Sequence, residues 1–287
     1  MSGPVAARTA DGSRLHLQHG PIDLIIEAWG GRAEAADAYR RAWDRFQPLL
    51  DELVAELPAL RRPLDDVRPG PASPVGRRMA AAVRPFADRF ITPMAAVAGA
   101  VADEICAAMV AGGDLRRAYV NDGGDIALHL SHGETFDVGV VPVPQRPALL
   151  GKVTVHAHEP IRGVATSGRH GRSFSLGIAD AVTVLAADAA RADAAATLIA
   201  NAVDLPGHPA IERVAASELE PDNDLGSRLV TTDVGPLSAD DVAQALAAGV
   251  EEAERIRAGG LLAAAVLCLN GQVAAVASPV LASAVGG

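Results

Sequence analysis

Aromatic side chains are scarce in this 287-residue sequence, at 3% of residues, although hydrophobic residues make up 49%. Alanine supplies much of the hydrophobic share, so we expect closely packed helices and sheet with few bulky side chains. A chain of this length can bury a sizeable core. We expect a single domain over residues 1–287, with two sub-lobes at about 1–115 and 116–287 as the alternative organisation.

Positive charge is also in short supply. The sequence has 25 Lys and Arg against 35 Asp and Glu, which gives a formal net charge of −10, and its arginines are scattered. A nucleic-acid or anionic-membrane partner would normally require a basic patch. The composition therefore argues against both partners.

Cysteines and long apolar runs are few. Cys106 and Cys268 each lie in an apolar run, which favours buried free thiols over a disulfide or a nucleophile. Residues 1–11 contain no apolar signal core. The apolar run at residues 261–269 is about half as long as a bilayer-spanning helix. These features predict a soluble, cytoplasmic protein.

What the sequence does contain is a series of short strands, mostly paired by tight turns, with helices between them. Strands are predicted at residues 14–17, 22–28, 117–121, 125–130, 136–141, 153–157, 182–186, 229–234, 261–269 and 272–276. Helices are predicted at residues 33–60 with a kink at Pro48, 75–86, from Thr92 to just before Gly112, 189–203 and 238–258. Residues 238–241 read as the capping start of the last helix, and Asn270-Gly271 is a hairpin turn between the last two strands. This order predicts an α+β fold with mixed or antiparallel sheets and packed helices.

Residues 121–125 read Asn-Asp-Gly-Gly-Asp between two strand-like runs. Paired glycines let the backbone approach a ligand closely, and the N–H groups of such a turn suit phosphate oxygens. A plain hairpin turn is the alternative, because these residue types favour turns for local reasons. Residues 166–168, Thr-Ser-Gly, offer similar donors but match neither a P-loop nor a dinucleotide fingerprint.

Asp193 and Thr197 stand four residues apart on a predicted helix and so share one face. A carboxylate and a hydroxyl there can hold a hard cation such as Mg²⁺. The alternative is that Asp193 stabilises the positive end of the helix dipole. The histidines have no zinc-site spacing, and Ser167 lacks the Gly-x-Ser-x-Gly setting of a hydrolase nucleophile.

Taken in order, these segments resemble the ApbE superfamily, whose best-known members are FAD:protein FMN transferases. Residues 92–103 stand where that family has a stretch like D-L-G-G-I-A-K-G-Y-A-V-D, and residues 121–125 are similar to its N-x-G-G-D turn. Residues 166–168 look like its T-S-G segment, and residues 192–197 like its A-D-A-x-x-T metal helix. The resemblance covers residues 92–203 clearly, and it is to a compact branch rather than to the transferases proper.

The resemblance implies a T-fold-related, ApbE-like structure that binds a phosphorylated small molecule, FAD or FMN, together with Mg²⁺. The cofactor-binding residues implied are Asn121, Gly123, Gly124, Asp125, Thr166, Ser167 and Gly168. The metal ligands implied are Asp193 and Thr197.

Three departures from the family pattern bear on activity. Ala98 stands where the family has its lysine, Thr92 stands at its first aspartate, and the H-I-x-D-P segment expected after residues 166–168 is missing. Flavin transfer needs positive charge or metal at the phosphate. The sequence therefore leaves open Mg²⁺-dependent FAD cleavage or FMN transfer, a non-catalytic delivery protein, and a factor of a pterin-linked one-carbon cofactor pathway. Alanine-rich helices also offer faces for a homo-oligomer.

Overall fold

The computed structural model of the protein describes residues 3–65, 67–140 and 151–277. The chain forms two compact units. Unit 1 comprises Met1–Phe136, Val155–Ala165 and Ala186–Asp193, and unit 2 comprises Asp137–Thr154, Thr166–Leu185 and Ala194–Gly287. Each unit thus collects three separate segments. The single-domain organisation stays a prediction.

The strands, in chain order, are β1 (Val5–Arg8), β2 (Leu15–His19), β3 (Ile22–Trp29), β4 (Arg117–Asp122), β5 (Asp125–Leu130), β6 (Thr135–Val140), β7 (Gly151–His156), β8 (Gly163–Ser167), β9 (Ala181–Ala186), β10 (Ile211–Ala215), β11 (Leu229–Val234), β12 (Ala264–Leu269) and β13 (Gln272–Ala277). The helices are α1 (Arg32–Phe46), α2 (Leu49–Leu60), α3 (Pro74–Val83), α4 (Val97–Val110), α5 (Ala189–Ala202), α6 (Ala216–Leu219) and α7 (Ala239–Ala258).

Unit 1 is built on an antiparallel sheet in which β1, β2, β3, β4 and β5 are neighbours in that order. Strand β5 also pairs, again antiparallel, with the first residues of β8. Alternate residues of β3 and β4 are buried, since successive side chains of a strand point to opposite faces. Leu24 and Ile26 of β3 and Ala118 and Val120 of β4 are all fully buried. Asp122 continues the buried face of β4, an unusual position for a carboxylate.

The helices of unit 1 begin and end close to their predicted bounds, with two differences. The long predicted helix is divided into α1 and α2 around Pro48, where the sequence predicted a kink. The helix predicted from Thr92 starts as a 3₁₀ turn, Pro93–Ala96, and becomes α-helical only at Val97. The Thr92 side chain does not cap this turn.

Unit 2 contains the antiparallel strands β9, β12 and β13, the two-stranded pair β10–β11, and helix α7. The β12–β13 turn has positive φ at both Asn270 (49°) and Gly271 (77°), which confirms the predicted Asn-Gly hairpin. Gly249 of α7 lies so close to Val203 and Leu267 that a side chain would overlap them. The predicted start of α7 is confirmed by a full capping box between Ser238 and Asp241.

The observed elements confirm the α+β fold class, with helices packed on antiparallel sheets. Four elements were not anticipated: β1, β8, β10 and the short α6. Strand β8 matters most, because it places Thr166 and Ser167 at a strand end rather than in a loop. Val141, the last residue of the strand predicted at 136–141, lies outside the described residues.

Both cysteines are buried free thiols, as predicted. The stretch Pro93–Val110 is long and apolar enough to cross a membrane by length and composition, with a mean hydropathy of 1.5. Half of that stretch is buried inside the protein. A buried core helix passes the same test, so one such helix is weak evidence for a membrane span. The cytoplasmic location stays a prediction.

Candidate functional site

In unit 1, helices α4 and α5 cap each other. The Asp103 carboxylate on α4 accepts hydrogen bonds from the first two backbone N–H groups of α5, at Ala189 (3.0 Å) and Ala190 (2.9 Å). In return, the Asp193 carboxylate on α5 accepts the N–H of Gly99 in the first turn of α4, at 3.1 Å. N–H groups at a helix start have no intrahelical partner. Each helix therefore satisfies the start of the other, which fixes both carboxylates at their junction.

Two glycines make this close junction possible. A Cβ atom at Gly99 would overlap the backbone of Ala189 and Ala190. One at Gly163, on β8, would overlap the backbone of Asp188 just before α5. Only glycine lets the backbones approach so closely. The start of α5 is therefore packed against α4 at Gly99 and against β8 at Gly163. Asp193 lies one helical turn after this packed start.

Asp122, like Asp103, is a residue of this region that the sequence did not single out. It is 4% exposed and follows Ala118 and Val120 on the buried face of β4. Its negative charge acts on Asp193 and raises the pKa of that group. The alternation of buried positions along β4 was the signal that could have found it, since it places an aspartate where an apolar residue is expected.

The carboxyl groups of Asp193 and Asp103 both titrate far above the ordinary aspartate range. Removal from water raises the pKa of Asp193 to about 7; the N–H of Gly99 opposes this rise, and the charges of Asp122 and Asp103 add to it. Removal from water likewise raises the pKa of Asp103 to about 7, against the lowering effect of the α5 N–H groups. A proton or a cation at this junction would relieve the repulsion between the carboxylates.

Helix α5 carries a line of polar side chains through otherwise buried surroundings. Asp193, Thr197 and Asn201 are partly exposed, whereas residues 194–196 and 198–200 between them are buried. Residues four apart lie on the same face of a helix. The helix expected around Asp193 and Thr197 is therefore present, and their role as metal ligands stays a prediction.

The Asn-Asp-Gly-Gly-Asp motif forms the β4–β5 hairpin turn. Gly123 and Gly124 have φ values of 63° and 119°, which suit glycine. The N–H of Gly124 donates to the Asn121 side-chain oxygen at 2.8 Å, so this group already serves the turn. Asp125 is partly exposed and pairs across the hairpin with Asp122. The structure thus shows the turn, and a ligand role for Asn121, Gly123, Gly124 and Asp125 stays a prediction.

The Thr-Ser-Gly segment lies in unit 2. The Thr166 hydroxyl is 2.9 Å from the Thr183 hydroxyl of β9, and Ser167 is partly exposed. Gly168 lies directly against the backbone of Asp180, where a Cβ atom would come within 2.5 Å of the carbonyl oxygen. This glycine is required for the close approach, and the ligand role of residues 166–168 stays a prediction.

The donor set of unit 1 suits a hard cation. Among residues 3–65, 67–140 and 151–277, no group of three or more His, Cys, Asp or Glu side chains forms a metal site. Asp103 uses both carboxylate oxygens on α5, and Asp193 uses one of its oxygens on Gly99, while the charge of Asp122 acts on Asp193. Two carboxylates, completed by hydroxyl, carbonyl or water oxygens, are the ligands that Mg²⁺ takes. The residues present therefore fit Mg²⁺.

Comparison with known proteins identifies the class. A family model described as "AbpE bacteria" matches residues 6–275, and the chain belongs to this ApbE-like family. This confirms the resemblance found from the motifs.

Individual relatives come from archaea. The chain is 38% identical to a UPF0280 protein of Methanopyrus kandleri over 181 residues, which cover 62% of this chain and 69% of that protein. It is 42% identical to a UPF0280 protein of Methanothrix thermoacetophila over 134 residues, which cover 46% of this chain and 53% of the relative. The match thus spans about half of the second relative.

Among solved structures, the flavinyl transferase ApbE of Pseudomonas stutzeri in its apo form matches at a TM-score of 0.46 and 14% identity, covering 99% of this chain and 96% of that one. The family assignment rests on the family model and the archaeal relatives.

Proposed function

We propose that this protein binds a flavin, FAD or FMN, or a similar phosphorylated cofactor together with Mg²⁺, and that it cleaves or transfers at the cofactor's phosphate. Membership of an ApbE-like family supports the ligand class. The observation that carries the proposal is the pair of Asp122 and Asp193: Asp122 is a carboxylate on the buried face of β4, and its charge raises the pKa of Asp193 on α5. Such a pair is costly without a cation, and perturbed carboxyl groups of this kind are concentrated at functional sites.

Each residue of the junction has a distinct part in this proposal. Asp122 and Asp193 would hold the Mg²⁺, with Thr197 as a further oxygen ligand from the same face of α5. Asp103 positions Asp193, because it fixes the start of α5 through Ala189 and Ala190. When bound, Mg²⁺ would supply the positive charge that offsets negative charge developing on a phosphate.

A second candidate function is favoured by Ala98. Its side chain is a methyl group where the family has a lysine, and its backbone N–H contributes to holding Asp193. With the lysine absent, the protein would bind and deliver the cofactor without chemistry. The pterin-linked alternative stays a prediction, as do a homo-oligomer and the absence of nucleic-acid and membrane partners.

The test is incubation of the purified protein with FAD, with and without Mg²⁺, followed by chromatography for released FMN and AMP. We expect Mg²⁺-dependent release by the wild type and a loss of at least about 100-fold in Asp193→Asn. Asp240→Asn, which removes one charge from the first turn of α7, is the matched control and should leave the rate unchanged.

Binding of FAD without products would favour the delivery function. Unchanged turnover in Asp193→Asn would contradict the proposed use of this residue.

A further inference from the structure

Immediately after the Thr-Ser-Gly segment, unit 2 contains a cluster of charged side chains that the ApbE resemblance does not assign. Its centre is Asp180, which is 8% exposed. One carboxylate oxygen of Asp180 accepts hydrogen bonds from Arg169 Nε at 3.0 Å and from His170 Nε2 at 3.1 Å, and Arg169 Nη2 lies 2.8 Å from the same oxygen. The other oxygen accepts the backbone N–H of Asn270 at 2.6 Å.

The backbone around this cluster is firmly held. The N–H of Arg169 donates to the carbonyl of Ala179 at 2.9 Å, and the N–H of Asp180 donates to the carbonyl of Cys268 at 2.9 Å. The N–H of Gly171 closes a turn on the carbonyl of Gly168 at 3.0 Å. The two basic side chains therefore project from a short turn that is pinned to the β9 and β12 strands of unit 2.

The basic groups reach the surface while their acidic partner does not. The side chains of Arg169 and His170 are 23% and 32% exposed, against 9% for Asp180. An arginine has five N–H donors in a planar fork. Asp180 is the partner of Arg169 within the described part of the chain and engages only the Nε and Nη2 side of that fork. The remaining donors of Arg169 can bind a second acceptor.

We propose that Arg169, held in place by Asp180 with His170 beside it, forms a binding site for a phosphate group of the ligand. This inference deepens the proposed function and rests on it for the phosphorylated nature of the ligand. A planar guanidinium held in a fixed orientation is well suited to phosphate oxygens. Asp180 is a positioning residue, because it touches Arg169 and His170 rather than the phosphate.

The negative net charge of the chain means that a phosphorylated ligand needs a local positive group to bind. The net charge is −10, and Lys152 is the single lysine of the sequence. A phosphorylated ligand meets overall repulsion, so binding requires a local, oriented positive group. Arg169 supplies an oriented guanidinium group in unit 2.

The test is isothermal titration of the full-length protein with inorganic pyrophosphate, in the presence of EDTA so that no metal contributes. Arg169→Gln removes the charge and the fork, and we expect binding at least about 10-fold weaker. Arg257→Gln is the matched control, because Arg257 is a 33% exposed arginine of unit 2 paired with Glu254 on α7, and its loss should leave binding unchanged. Arg169→Lys keeps the positive charge but lacks the planar guanidinium, so its affinity for pyrophosphate should lie between those of the wild type and Arg169→Gln.

Three results would overturn the site: no pyrophosphate binding by the wild type, equal binding by Arg169→Gln, or equal weakening in Arg257→Gln. If Arg169→Gln fails to fold, the comparison of Arg169→Lys with the wild type decides, and equal affinity would contradict the site. Failure of this site and failure of the proposed reaction can be told apart, because pyrophosphate binding is measured in EDTA, whereas FAD cleavage is measured with Mg²⁺. Pyrophosphate binding that depends on Arg169 without any FAD cleavage would leave the site standing and contradict the reaction.

Discussion

Carboxylates help to cap the N-termini of both α5 and α7, but only α5 also depends on a carboxylate from a distant part of the chain. At α7 the cap is local: the Ser238 hydroxyl accepts the N–H of Asp241 at 3.1 Å, and the Asp241 side chain accepts the N–H of Ser238 at 3.0 Å. At α5 the local part of the cap is the Asp188 carboxylate, which accepts the N–H of Arg191 at 2.8 Å, but the first two N–H groups are accepted by Asp103, 86 residues before Ala189. The cap of α7 can be read from four consecutive residues, whereas the contact with Asp103 exists only once the fold brings α4 and α5 together.

Their electrostatics differ as much as their origins. The hydrogen bonds from Ser238 lower the pKa of the exposed Asp241 carboxyl. Removal from water raises the pKa of Asp103 to about 7 although two N–H groups favour its charged form. The environment of a capping carboxylate therefore sets its pKa. A capping carboxylate that is buried near other carboxylates has the perturbed pKa that is common at functional sites.

The largest expected effect is the difference between removing the remote cap and removing the local one. Asp103→Ala leaves two N–H groups of α5 without their acceptor, which we expect to lower the free energy of unfolding by about 2–5 kcal/mol. Ser238→Ala removes an exposed cap and should cost about 1 kcal/mol. Urea denaturation of both variants and the wild type at pH 4, followed by circular dichroism, measures the two values, since the contribution of Asp103 is present at that pH.

Equal destabilisation by the two substitutions would show that the α4–α5 junction contributes no more than an ordinary helix start. Asp240→Ala is the control, since Asp240 lies in the first turn of α7 but outside the Ser238–Asp241 capping box.

A smaller effect is expected in how the two caps respond to pH. The pKa of Asp103 in the folded protein is about 7, above its ordinary value of 3.8, so between these pH values the folded state holds more protons than the unfolded state. The contribution of Asp103 to stability is therefore fully present below about pH 4 and is lost as pH rises towards 7. The pKa of Asp241 is lowered, so its contribution is present above pH 3.8 and is lost as pH falls through the lowered value.

This contrast is measured by urea denaturation from pH 3 to pH 8 in EDTA, for the wild type, Asp103→Asn and Asp241→Asn. The stability advantage of the wild type over Asp103→Asn should shrink as pH rises from 4 to 7, and its advantage over Asp241→Asn should shrink below pH 4. An advantage over Asp103→Asn that grows from pH 4 to 7 would mean that this carboxyl is charged in the fold.

Local patterns in the sequence predicted the features that depend on neighbours in the chain. The capping box at Ser238, the Asn270-Gly271 hairpin, the break at Pro48 and the paired glycines at 123–124 all follow from the residue types themselves. The fold class followed from the spacing of these elements.

The candidate site could be predicted only in part, because its parts come from distant segments. Asp193 was found through a family motif, but Asp122 was passed over, since burial on β4 is a property of the sheet and not of the turn beside it. The use of Asp103 as a cap requires contact between α4 and α5. Arg169, His170 and Asp180 were missed for the same reason, since Asp180 joins two segments of unit 2.

The most direct test of the central claim is isothermal titration of the metal-free protein with Mg²⁺ at pH 8, above the pKa of about 7 that Asp193 has in the folded protein. The variants are Asp122→Asn and Asp193→Asn, with Asp240→Asn as the control. The account predicts saturable binding to the wild type and the control, and loss of binding in both site variants. Saturable binding that survives both substitutions, or no binding by the wild type, would contradict it.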